Sequence, residues 1–142
     1  MDFTRVAEAS VAERRNGTLL ATMRHEISGV RRRAFCVGGP VSWEEAHLNQ
    51  ALPDPVCSGA LLSLGEGKMA FVNCAYGDEP ALERQRRGEN VRWSLDARQN
   101  LTLRLSEDDG KTWSAGLTLE ATLPAGRTVA VGAEIALGTA GI

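Results

Sequence analysis

Large aromatic side chains are scarce: three Trp, three Phe and one Tyr occur in 142 residues, against 15 glycines. Turns must therefore carry much of the structural information. An excess of charge of one sign is also missing. Sixteen basic residues stand against 18 acidic ones, a formal net charge of −2, which argues against a nucleic-acid binder driven by phosphate neutralisation. No stretch approaches the roughly 18 to 20 apolar residues that a membrane helix needs. The opening Met1-Asp2-Phe3-Thr4-Arg5 lacks the basic-then-apolar layout of a signal peptide. The expectation is no nucleic-acid and no membrane partner, with secreted and cytoplasmic locations both open. Cys36, Cys57 and Cys74 form no CxxC pair, so they read as reduced thiols or small buried apolar groups and not as a zinc or redox motif. His25 and His47 lack partners at triad or metal spacing. A chain of this length, 43% hydrophobic and 24% charged, is one ordinary domain at most, able to bury a core but short for most multi-step catalytic folds.

What is present reads as short strands between turns. Asn16-Gly17 opens the strand-length run Thr18 to Arg24. Gly59 to Leu64 and Met69 to Cys74 flank Gly65-Glu66-Gly67-Lys68 and read as a hairpin. The clearest strand is Asn100 to Ser106, whose leucines alternate with polar residues at period 2, and Leu117 to Thr122 repeats the alternation more weakly. The class is all-β. Residues 77–97 are highly charged and read as a long exposed connection in which Arg84, Arg86 and Arg87 form a solvated face. The segment 117–142 reads as a divergent Ala/Gly-rich tail, separate from the portion 1–116.

The strand ending at Ser106 runs into Ser106-Glu107-Asp108-Asp109-Gly110-Lys111-Thr112-Trp113, of the form S-x-D-x-G-x-T-W. An Asp in such a turn accepts hydrogen bonds from the amides that follow, Gly110 takes a positive φ, Ser106 and Thr112 tie the flanks, and Trp113 anchors the turn in the apolar layer. The motif resembles the Asp-box, or BNR repeat, of sialidases and some other β-propellers. Cys36 to Trp43 resembles a degenerate second copy, with Cys36, Gly38 and Pro40 where Ser, Asp and the second Gly would stand. The two tryptophans lie further apart than one blade of about 40 to 50 residues, and the charged insertion accounts for the excess.

Three further segments extend the resemblance to bacterial exo-sialidases over about residues 8 to 116. Ala51 to Leu62 is similar to the family's L-P-D-P-x-C-x-x-S-hydrophobic stretch, with Ala60 in place of the serine. Glu8, the Asn16-Gly17 turn and Arg24 match a glutamate that precedes an arginine by 16 residues. Arg98-Gln99-Asn100-Leu101-Thr102 matches an R-x-N-hydrophobic-T segment. The resemblance implies a partial six-bladed propeller of two to three blades whose parent enzyme removes terminal sialic acids from glycoconjugates without a cofactor or metal. It assigns Arg24 and Arg98 to two of three arginines that hold the substrate carboxylate, for which the guanidinium fork is suited. It assigns Glu8 to the base that activates a tyrosine nucleophile, with Ser106, Asp108, Gly110, Thr112 and Trp113 as structural Asp-box positions.

The same pattern asks for more. An early Arg-Ile-Pro arginine and an acid/base aspartate precede the glutamate in the family, whereas seven residues precede Glu8. The tyrosine is expected near Gly126, where the sequence is Leu123-Pro124-Ala125-Gly126-Arg127. The single Tyr76 does not match. The expectation is a truncated central portion of a sialidase, weakly active or inactive alone, with a tail out of frame. Two alternatives are a non-catalytic Asp-box module that binds carbohydrate or protein, and a structural fragment that associates with another chain through open sheet edges.

Overall fold

The computed structural model describes residues 6–25, 32–75, 87–88 and 100–120. Eight strands lie among them: β1 Val6–Glu13, β2 Leu19–His25, β3 Arg32–Gly38, β4 His47–Pro53, β5 Gly59–Gly65, β6 Lys68–Cys74, β7 Leu101–Ser106 and β8 Leu117–Glu120. They form two four-stranded antiparallel sheets, each in sequence order, β1-β2-β3-β4 and β5-β6-β7-β8. Leu117 to Glu120 thus pairs with β7 as the last strand of the second sheet. The charged segment 77–97 lies outside the described residues apart from Arg87 and Gly88, which form an exposed turn. Sequential antiparallel strands with tight turns are what the alternating runs and glycine punctuation dictate. In the β1–β2 turn, Asn16 Oδ1 accepts hydrogen bonds from the Thr18 amide at 3.1 Å and the Thr18 hydroxyl at 2.7 Å, and Gly17 sits at φ 81°.

The sheets pack face to face through Ala12, Leu20, Phe35, Leu52, Leu61, Met69 and Phe71, with Trp113 against them. Phe35, Phe71 and Trp113 form a ring cluster with centroids 5.7 to 6.1 Å apart. A second cluster, Ala21, Met23, Ala34 and Cys36, occupies the opposite face of the first sheet. Covering on both faces explains why Arg33 to Cys36 are all buried and why β3 shows no alternation in sequence.

The Asp-box turn closes on its own side chains. Asp108 Oδ1 accepts from the Ser106 hydroxyl and the Thr112 amide, both at 2.8 Å, and Oδ2 accepts from the Thr112 hydroxyl at 2.6 Å. The Ser106 oxygen in turn accepts from the Gly110 amide at 2.9 Å. Gly110, at φ 79°, has no room for a Cβ because the Leu20 side chain lies there. Burial pushes the Asp108 carboxyl up, and the hydrogen bonds from Thr112 and Ser106 outweigh it, leaving the pKa at about 2 against an ordinary 3.8. A carboxylate held below its unfolded value stabilises the fold fully above that value and loses the contribution as pH falls to the folded one. The stability of the chain is therefore expected to fall between about pH 4 and pH 2, and Asp108→Asn to flatten that limb in acid titrations followed by circular dichroism.

The same turn clamps the two sheets. The Arg15 amide donates to Asp109 Oδ1 at 2.8 Å, Arg14 Nε to the Asp109 carbonyl at 3.2 Å, and the Asp109 amide to the Gly67 carbonyl at 2.9 Å. Arg15 Nη2 also reaches the Glu66 carbonyl. In the degenerate copy these side-chain bonds have no counterpart. The Gly39 amide donates to the Ser42 carbonyl and the Glu44 amide to the Val37 carbonyl, and the half-exposed Trp43 ring lies on Gly38, where a Cβ would collide with it.

Candidate functional site

Away from the Asp-box, the seam between the sheets turns polar. Arg33 on β3 is fully buried and donates from Nη1 to Asp54 Oδ2 at 2.9 Å and to the Cys57 carbonyl at 2.8 Å, and from Nε to the Thr22 hydroxyl at 2.8 Å. Its guanidinium also lies 5.7 Å from the Phe71 ring centroid. Asp54 uses its other oxygen to accept from the Cys57 amide at 3.1 Å. Asn73 donates to the Pro53 carbonyl at 2.8 Å and accepts from Arg104 at 3.4 Å. The network therefore runs from β7 through β6 and the Pro53-Asp54-Pro55 turn to β3 and β2. Burial pushes the Arg104 guanidinium below its ordinary pKa. Cys57 and Cys74 are buried beside it, and the thiol contact with Cys74, followed by burial, pushes the Cys57 pKa up. A thiol so raised is protonated at neutral pH and is a poor nucleophile.

The more open pair is Glu8 with Arg24. A register shift between Ala7 and Ser10 puts a β-bulge in β1 opposite β2, and Glu8 occupies it at φ 49°. The left-handed region is disfavoured for a residue with a Cβ, and a bulge re-aims its side chain. Glu8 Oε2 accepts from Arg24 Nη1 at 2.9 Å, with 45% of the glutamate side chain and 21% of the arginine side chain exposed. The two positions matched by their 16-residue spacing are thus brought together at the surface. Arg98, the other arginine that the family resemblance assigns to the carboxylate, lies outside the described residues, as do Tyr76 and the region of Gly126.

Other polar residues have local roles. His25 is buried, with Nε2 2.6 Å from the Arg32 carbonyl, and His47 is exposed on β4. Among the described residues no group of three His, Cys, Asp or Glu side chains could hold a metal ion. No helix among them is long and apolar enough to cross a membrane.

Two four-stranded sheets built in strict sequence order, the second carrying an Asp-box turn and the first a degenerate one, are the local pattern of a propeller. A protein-family model described as a BNR repeat-like domain matches residues 1–128. The chain belongs to that family. Among solved structures, the BNR-type fold of this chain is similar to the "Hadza microbial sialidase Hz136", with a TM-score of 0.60 and 23% sequence identity over 83% of this chain. The match spans 21% of that protein's length. No curated protein matches. The fold is therefore part of a sialidase-like β-propeller, and the two sheets are two of its blades. The sequence did not single out Arg33, Asn73 or Arg104. Arg33 stands near the start of a strand with no alternation, and Asn73 and Arg104 sit in strands where each reads as an ordinary polar residue.

Proposed function

We propose that this BNR chain carries part of the carboxylate-recognition wall of a sialidase-type site, in which Arg24 binds the carboxylate of a terminal sialic acid on a glycan. The observation that carries this reading is the bulge at Glu8. A left-handed non-glycine residue inside a strand costs about 1–3 kcal/mol, and here the distortion turns a carboxylate onto the neighbouring strand's arginine. Such strain is concentrated at functional sites. The guanidinium fork fits a carboxylate, which a point-charged ammonium does not. Arg98 is proposed as the second anion-binding arginine.

Glu8 takes the place of the group that would accept the proton of a tyrosine hydroxyl as that oxygen attacks the anomeric carbon. A tyrosine nucleophile suits a substrate whose own carboxylate would repel a negatively charged one. Hydrolysis also needs the tyrosine and an acid to protonate the leaving oxygen, and neither was matched in the sequence. The chain alone is therefore proposed to bind sialosides weakly and to turn them over negligibly.

A sialoside titration monitored by NMR, run beside a fluorogenic sialoside assay, tests this. Saturable binding is expected, weakened about tenfold or more by Arg24→Ala and nearly as much by Arg24→Lys. An absence of binding overturns the recognition reading. Turnover above background that disappears in Glu8→Ala overturns the claim that the chain is hydrolytically incomplete.

A further inference from the structure

Cys57 and Cys74 meet thiol to thiol beside the buried polar network, and only 5% and 4% of these residues is exposed. Cys36, the third cysteine, lies apart from them among Ala21, Met23 and Ala34. The backbone fixes the meeting from both sides. Gly59 pairs with Asn73, so the chain entering β5 passes the end of β6. The Asn73 side chain donates to the Pro53 carbonyl at 2.8 Å, and Asp54 Oδ1 accepts from the Cys57 amide at 3.1 Å. The turn that carries Cys57 is thus tied to the strand end that carries Cys74, and a disulfide needs two thiols that face one another over a short span.

The same turn is strained. Val56, next to Cys57, takes φ 63°, a left-handed conformation that a β-branched residue avoids because its Cβ crowds the backbone. Strain of this kind persists only where the surroundings hold it. Here the holders are the two members of the buried ion pair: Arg33 donates to the Cys57 carbonyl and Asp54 accepts from the Cys57 amide. Both thiols are free, and Ser58 on the far side of Cys57 is exposed. A strained turn one residue from solvent, held by hydrogen bonds alone, is placed to open locally while β5 and β6 stay paired.

We propose that Cys57 and Cys74 are a redox pair, closed to a disulfide by a small-molecule disulfide oxidant such as oxidised glutathione, and that the bond locks the 54–58 turn onto the end of β6. As the turn opens, one cysteine loses its proton and its thiolate attacks the oxidant, forming a mixed disulfide and releasing one glutathione. The thiolate of the other cysteine then attacks the protein sulfur of that mixed disulfide and expels the second glutathione. Two electrons pass from the protein to the oxidant, and the two thiol protons end on the two glutathiones released. Exchange is slow while the turn is shut, because buried thiols stay protonated. Once formed, the bond stabilises the fold by closing the β5–β6 loop in the unfolded chain as well. This inference does not depend on the Glu8–Arg24 reading.

Equilibration of the whole chain in glutathione buffers of rising oxidised fraction, followed by acid quenching, thiol counting in urea and peptide mapping by mass spectrometry, tests it. Free thiols are expected to fall from three to one, with a peptide that joins Cys57 to Cys74 and a protein mass lower by about 2 Da. The urea midpoint of the oxidised chain is expected to rise and dithiothreitol to return it to its starting value. Cys36→Ala is expected to keep that shift and Cys74→Ala to abolish it. Should Cys74→Ala lose its native circular dichroism, the peptide map of the unsubstituted chain decides alone. Three free thiols throughout, glutathione retained on one cysteine as the end product, or a bond that includes Cys36 overturns the proposal.

Discussion

Asp54→Ala is expected to lower the unfolding free energy by about 3–5 kcal/mol, the usual cost of removing one partner from a buried ion pair. Both members are sealed from water, with 0% and 3% of their side chains exposed. Once the carboxylate is gone, the guanidinium keeps the Thr22 hydroxyl and the Cys57 carbonyl as acceptors but no opposite charge. It has no reserve, because Arg33 Nη2 already lacks a hydrogen-bond partner. The Cys57 amide loses its acceptor as well. Domains of this size are stable by about 5–15 kcal/mol, so the loss is a large fraction of the whole. Equilibrium urea unfolding measures it. The double variant Arg33→Met/Asp54→Leu is expected to recover most of the stability, since apolar replacements of similar volume remove the unpaired charge. A double variant as unstable as the single one would show that packing, and not an orphaned charge, sets the cost.

Phe71→Ala is the second large loss, again about 3–5 kcal/mol. Phe71 is fully buried at the centre of the seam, edge-on to Phe35 at 5.8 Å and 5.7 Å from Trp113. Among the described residues no second ring cluster shares the load. The Arg33 guanidinium also faces this ring, so Phe71→Ala and Asp54→Ala disturb the same cation. Their effects are expected not to add, and a double-mutant cycle in urea reads the coupling.

Much of this architecture was legible in the sequence wherever one face of a strand is wet. β7 alternates Leu101, Leu103 and Leu105 with polar residues, and the hairpin of β5 and β6 is marked by Gly65-Glu66-Gly67, whose three residues all take positive φ. The Asp-box declared itself because its hydrogen bonds depend on side chains at fixed spacing. Strand β3 gave no such signal, because burial on both faces erases period 2. Strand β1 is the reverse case: most of it is exposed, and its bulge at Glu8 breaks the register on which periodicity depends. The Glu8–Arg24 pair was legible only as a spacing shared with a family. The Arg33–Asp54–Asn73–Arg104 network was not, since its members come from four separate stretches and each alone reads as an ordinary polar residue.

The clamp between Arg15 and Asp109 joins residues 94 positions apart. A ribosome delivers the chain from the N-terminus, so the β1–β2 turn is made early and its partner, 94 positions on, much later. Until Asp109 emerges, Phe35 has neither Phe71 nor Trp113 secured against it, and the first blade waits with its apolar side open. Long-range closure of this kind slows folding and prolongs the interval in which exposed strands can pair with the wrong neighbour. The eight-residue turn that follows β7 is therefore also a latch, whose arrival closes the first blade's apolar side during synthesis.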